Sequence, residues 1–168
     1  TTLVAGSYDN EILAGSLQTT QGNNTTSAIA NLTVLSAADT APTLSKAFSP
    51  SSIAACKISL LTITLSNPST TVANLTAPLI DNLPNGVVVA KNNLFTTTCG
   101  GIVTANIGSP KVILTGGSIA AKASCTITVN VTAPADGSYI NTLVAGALQT
   151  SNGENMSPAV ATLTVKTN

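Results

Sequence analysis

The chain has 168 residues, of which 43% are hydrophobic, 2% aromatic and 7% charged, with six Lys, six acids, no Arg and no His. That length allows one ordinary domain plus an extension, burying roughly 70% of the unfolded surface, while charge far below the usual figure of about 25% leaves no basic face for nucleic acid. Without His, no Ser–His or Cys–His nucleophile pair can be built, and no apolar run approaches the roughly 18 residues of a transmembrane helix.

Hydrophobic residues recur with a period of two. Ala30-Asn31-Leu32-Thr33-Val34, Leu61-Thr62-Ile63-Thr64-Leu65-Ser66, Cys125 to Val131 and Ala161 to Val165 alternate strictly between apolar and polar. Such alternation places one strand face in a core and the other in solvent, and an ordered period argues against disorder despite the Ser/Thr/Asn-rich composition. No segment holds helical spacing over three turns, so almost no helix is expected. In chain order the predicted strands lie near 10–19, 28–35, 43–48, 58–66, 72–82, 86–91, 102–107, 111–115, 124–132, 139–149 and 159–166. Turn dipeptides separate them, among them Asn67-Pro68, Pro84-Asn85-Gly86, Gly100-Gly101, Gly116-Gly117 and Asn152-Gly153. Short strands at this spacing predict an all-β protein, an antiparallel immunoglobulin-like β-sandwich with an N-terminal strand extension.

The extension is a copy. Residues 6–34 and 137–165 align without a gap at an offset of 131 and agree at 16 of 29 positions. The shared residues include Gly6/Gly137, Tyr8/Tyr139, Asn10/Asn141, Gln18/Gln149 and Leu32-Thr33-Val34/Leu163-Thr164-Val165. Residues 36–42 have a linker composition, small, polar and ending in Pro42. The expected division is an extension at 1–38 and a complete unit at 39–168, whose length of about 130 residues matches the repeat offset. No leader is visible at Thr1, so the chain is expected to begin after processing or within something longer.

SKAFSPSSIAA from Ser45, LTITLSNP, LIDNLPNGVVVA, TTCGG and SCTITVNVTAPADGSYINTLVAGALQTSNG follow one another in order. Over about residues 44–165 this resembles the bacterial immunoglobulin-like repeat found in tandem in very long secreted and cell-surface proteins. The resemblance implies a β-sandwich, export, and a role as a stalk, filament or adhesin module. It also implies a Cys99–Cys125 disulfide, against the alternative of two buried thiols. The chain departs from the pattern after Ile53-Ala54-Ala55, where Cys56-Lys57 stands in place of small residues. Cys56 is expected to be a small buried hydrophobe, with an intermolecular disulfide as the other reading.

Nothing in the sequence points to an enzyme. The acids lie mostly in turns or the linker, no phosphate loop or clustered calcium motif exists, and neither cofactor nor metal ligand set is expected. One pair bears on covalent chemistry. Lys46 on an early strand and Asn141 on a late one, with Asp81 as an acid, are the residue types that form an isopeptide cross-link. The plainer expectation puts Lys46 in solvent and Asn141 in a turn cap.

The functional expectation is a structural subunit or repeat of an extracellular filament, pilus or surface stalk, with itself as partner. Units join by inter-unit strand complementation through Tyr8, Ile12, Leu17, Ile29, Leu32 and Val34. The alternative is an adhesin or glycan-binding module. Only Tyr8, Tyr139, Phe48 and Phe95 are aromatic, which disfavours a sugar site.

Overall fold

The computed structural model describes residues 4–35, 41–92 and 94–166. The predicted boundary near residue 38 and most of the linker lie outside the described residues. The chain divides into two compact units, Thr1–Asp39 and Thr40–Asn168.

The first unit is a hairpin. Strand β1 (Gly6–Ile12) pairs antiparallel with β4 (Ala28–Val34), from Gly6 opposite Val34 to Ile12 opposite Ala28. Between them, β2 (Gln18–Thr19) and β3 (Gly22–Asn23) make a small ribbon at the tip. The predicted strand 10–19 breaks after Ile12 because the Asn24 side chain takes over the backbone's bonding there. Asn24 Oδ1 accepts from Leu17 N at 2.8 Å, and Asn24 Nδ2 donates to the Leu13 and Thr26 carbonyls at 3.0 and 2.9 Å.

The second unit is the predicted β-sandwich. One sheet is built on β7 (Ile58–Asn67) and β15 (Ala123–Thr132), antiparallel over ten residues from Ile58 opposite Thr132 to Asn67 opposite Ala123. Flanking them are β5 (Thr43–Ser49) beside β7, and β10 (Val88–Val89) and β11 (Phe95–Thr97) beside β15. The facing layer contains β12 (Ile102–Thr104), β13 (Lys111–Thr115) and β9 (Leu79–Asn82) in that order. It also contains β16 (Gly137–Leu143), β19 (Ala159–Lys166) and β6 (Ser52–Ala54), with β19 and β6 parallel. Short ribbons β14 (Ser118–Ile119) with β8 (Ala73–Asn74), and β17 (Gln149–Thr150) with β18 (Gly153–Glu154), complete the unit.

The alternating Thr-rich strands do what their period requires. Leu61, Ile63 and Leu65 on β7 and Cys125, Ile127, Val129 and Val131 on β15 are buried, while the intervening Thr and Asn line the outer face. With few aromatic side chains, the core is filled by branched aliphatics such as Leu79, Val87, Leu114, Ile119, Leu148 and Leu163. Two glycine turns meet at one end. A Cβ on Gly101 would lie 2.6 Å from the Thr115 carbonyl oxygen, and one on Gly117 would lie 2.8 Å from that of Cys99, so neither position accepts a side chain.

Candidate functional site

Three polar residues point into this aliphatic core. Lys46 sits between Leu44 and Phe48 on β5, Asp81 between Leu79 and Leu83 at β9, and Asn141 between Tyr139 and Leu143 on β16. Each occupies the inward phase of its strand, so alternation carries it to the core. The side chains of Lys46 and Asp81 are 0% and 1% exposed, and Asn141 is 1% exposed. The expectation of a solvated Lys46 and a turn-capping Asn141 is therefore corrected. The pattern that could have revealed this was present: each polar residue is flanked at i ± 2 by hydrophobic neighbours.

Asp81 touches both partners. Lys46 Nζ donates to Asp81 Oδ1 at 2.7 Å, and Asn141 Nδ2 donates to Asp81 Oδ2 at 3.0 Å. One carboxylate thus bridges an amine and a carboxamide that lie far apart in the chain. Burial of the ammonium lowers the pKa of Lys46 from its ordinary 10.5, and the adjacent Asp81 opposes that shift by charge and hydrogen bonding. Among the described residues, Asn141 Oδ1 is a buried side-chain atom without a hydrogen-bond partner. An orphaned carbonyl oxygen costs about 1–3 kcal/mol. Isolated among aliphatic side chains, the cluster is an expensive arrangement unless something further is done with it.

The second feature is the hairpin that occurs twice. The β16–β19 ladder, from Gly137 opposite Val165 to Leu143 opposite Ala159, repeats the β1–β4 ladder residue for residue. Tyr139 Oη donates to the Ala135 carbonyl at 2.8 Å, as Tyr8 Oη does to Val4 at 2.7 Å. Asn155 binds Leu148 N and the Val144 and Ser157 carbonyls, the counterparts of the Asn24 partners. The local conformation is therefore written into the repeated sequence itself.

Burial is not repeated. In the second unit Leu143, Leu148 and Leu163 are 2%, 0% and 0% exposed, whereas their counterparts Ile12, Leu17 and Leu32 are 55%, 60% and 56% exposed. Tyr8 is exposed and Val34 half-exposed, while Tyr139 packs on the core and Val165 is buried. Asn10, the counterpart of buried Asn141, is also exposed. Ile29 must be separated from the other predicted contact residues. It lies on the opposite strand face from Leu32 and Val34, and its counterpart Val160 is exposed in the complete unit. Ala28 and Ala30 hold the inward positions instead.

Cys99 and Cys125 form a disulfide with Cα atoms 5.0 Å apart, both residues buried. It ties the turn after β11 to the start of β15, and closing that loop is worth roughly 3–4 kcal/mol in the chain-entropy account. Cys56 is a free thiol and is exposed, not the buried hydrophobe expected. It follows β6 in a turn with φ of 63°, so the backbone reverses there before the alternating run of β7 begins. Among the described residues, no helix is long and apolar enough to cross a membrane.

The profile of a family described as a domain of unknown function, DUF7933, matches residues 42–165, and the chain belongs to that family. No curated protein matches. Among solved structures, similarity is found to BslA, a bacterial hydrophobin, at 18% identity and a TM-score of 0.49, covering 76% of this chain and 97% of that one. A non-cellulosomal cohesin from the hyperthermophilic archaeon Archaeoglobus fulgidus aligns at 12% identity and a TM-score of 0.48, covering 76% and 92%. The yeast delta-COP-I mu-homology domain aligns at 15% identity and a TM-score of 0.34, covering 85% and 63%.

Proposed function

We propose that this chain is a structural subunit or repeat of an extracellular filament or surface stalk, whose units are joined by strand complementation. The observation that carries the reading is one hairpin in two settings. At 137–165 its apolar face is buried in a sandwich; at 6–34 the same face is bare. An exposed hairpin with Ile12, Leu17 and Leu32 on its surface is an aggregation liability unless a partner covers it. The partner of best fit is a sandwich of the same kind, because the matching seat is known from the second unit. There, β19 runs parallel to β6, with Thr164 opposite Ser52 and Val165 opposite Ile53. Thr33 and Val34 of a seated hairpin would take those places in another unit.

The second unit already holds its own closing hairpin. The front hairpin therefore seats in a unit whose own closing hairpin is missing or displaced. Main-chain hydrogen bonds supply affinity and the alternating side chains supply register. Burying three large aliphatic side chains contributes about 1.5–3 kcal/mol each before the cost of association. Both the disulfide and a surface of Thr, Ser and Asn suit an exported protein. The role is non-enzymatic on this reading, and the chain's main partner is itself.

A fused chain tests it. Residues 41–136 are placed directly ahead of residues 6–168, so that the front hairpin follows a body lacking its own closing hairpin. Two folded units are expected, and Leu32→Asp is expected to unfold only the leading one. A leading segment that stays unfolded while the second unit folds contradicts complementation. Electron microscopy of native material adds the assembly test: fibres are expected, and uniformly monomeric particles contradict the filament role.

A further inference from the structure

We propose that Lys46 and Asn141 become joined by an intramolecular isopeptide bond, with Asp81 moving the proton that the reaction requires. The three groups are already assembled on β5, β9 and β16, and a single carboxylate bridges amine and amide. Three strands of a packed core hold them, so little freedom has to be frozen for the amine to reach the amide carbon. Water is excluded from the cluster, which removes hydrolysis as the competing reaction. Burial also favours the neutral, nucleophilic form of the lysine.

The step balances without any added reagent. Lys46 begins as an ammonium and Asp81 as a carboxylate. One proton passes from Nζ to Asp81, leaving a neutral amine and a neutral acid. The Asn141 carboxamide, whose Nδ2 faces Asp81 before reaction, turns over so that its carbonyl accepts the acid proton of Asp81, and the Nζ lone pair attacks Cγ. A second Nζ proton is transferred to Nδ2, the Cγ–Nδ2 bond breaks, and ammonia leaves. The products are a secondary amide, ammonia and neutral Asp81. No oxidant or metal takes part.

The product resolves what is costly in the starting arrangement. The buried ion pair is gone. The new amide has one N–H, which can donate to one oxygen of Asp81, and one carbonyl, which can accept from the protonated other. Asn141 Oδ1, orphaned before reaction, gains its donor. A buried amide–acid pair with both groups satisfied is cheaper to keep than a buried charge pair beside an orphan. The bond would join the first strand of the unit to its closing hairpin. Tension entering near Thr43 and leaving near Lys166 would then bypass residues 47–140, which suits a load-bearing repeat. The bond itself does not depend on the filament reading, since every residue it needs lies in one unit.

The test uses the full chain, purified, reduced and denatured. The expected intact mass is lower than the sequence mass by one ammonia, and proteolysis is expected to yield one branched peptide joining the Lys46 and Asn141 segments. Mass alone does not decide, because Asn85-Gly86 and Asn152-Gly153 can each lose ammonia by closing to a succinimide. The branched peptide decides: recovery of Lys46 and Asn141 on separate linear peptides from folded protein overturns the proposal. The branched species should be absent from Lys46→Met. Folded Asp81→Asn is expected to lack the bond, and its presence there would overturn the role of Asp81. Should either variant fail to fold, the peptide map of the unsubstituted chain still separates a joined pair from an unjoined one.

Discussion

Leu163→Ala and Leu32→Ala are the same substitution in the same hairpin sequence, and they are expected to differ sharply. Leu163 is 0% exposed and its register partner is Tyr139; Leu32 is 56% exposed opposite Tyr8. Truncating a buried Leu costs about 2–5 kcal/mol, and a fully enclosed site belongs in the upper part of that range. A domain is stable by only about 5–15 kcal/mol, so this is a large fraction. At roughly 3–5 °C per kcal/mol for a unit of this size, the melting temperature should fall by roughly 10–25 °C. Leu32→Ala should stay within about 0.5 kcal/mol, as for an ordinary surface change. The assay is thermal unfolding by circular dichroism at a concentration where the chain is dispersed. Equal losses from the two substitutions, or a neutral Leu163→Ala, would refute the assignment of one hairpin as core and the other as bare.

Three further outcomes follow from particular residues. Gly117→Ala places a Cβ 2.8 Å from the Cys99 carbonyl at φ of +98°, whereas Gly116→Ala meets nothing within 4 Å and keeps only the cost of φ +70°; chemical denaturation should show the first losing clearly more than the roughly 1–2 kcal/mol of the second. In folded Asn141→Ala, where Lys46 stays an amine, its lowered folded pKa means the unfolded chain binds more protons just below pH 10.5. Stability relative to Lys46→Met should therefore rise with pH toward that value, and a flat or falling difference in a pH series of melts contradicts the burial of the ammonium. In the leading unit of the fused chain, which lacks its own closing hairpin, a seated front hairpin brings Asn10 to the position of Asn141. A branched peptide joining the leading copy of Lys46 to Asn10 is then expected, and Asn10→Ala should abolish it.

Much of the fold was legible because Val, Ile, Leu and Thr alternate so regularly. β4, β5, β7, β13, β15 and β19 fall within a residue of their predicted spans; in β5, β7, β15 and β19 a two-residue period with one buried face admits one register, and β4, with no buried residue, keeps the span of the β19 sequence that it repeats. β6, β11 and β14 were not legible. They are two or three residues long, too short to display a period, and they pair where the sandwich brings them. The predicted strands 10–19 and 139–149 each break because an asparagine five or more residues downstream satisfies the backbone in place of a partner strand. Ile29 misled because it is hydrophobic on the outer face; the inward positions are the small Ala28 and Ala30. The buried cluster was half legible. Period two places Lys46, Asp81 and Asn141 inward, but composition argues that a lysine belongs in water, and only the packing of β5 against the facing layer supplies its counter-charge. The exposure of Cys56 depends on a left-handed turn that nothing in Ala54-Ala55-Cys56-Lys57 announces.

The central claim is that the hairpin at 6–34 can close a sandwich other than the one it precedes. The most direct measurement compares Leu163→Asp with Leu32→Asp/Leu163→Asp by sedimentation velocity and circular dichroism over a range of concentrations. In the single variant the unit's own closing hairpin cannot seat, so the front hairpin of one chain should enter the vacated place in the next. Refolding should then be concentration-dependent and yield linear oligomers with the β-sheet spectrum restored, while the double variant stays unfolded and unassembled. Identical behaviour of the two variants at every concentration would contradict strand complementation.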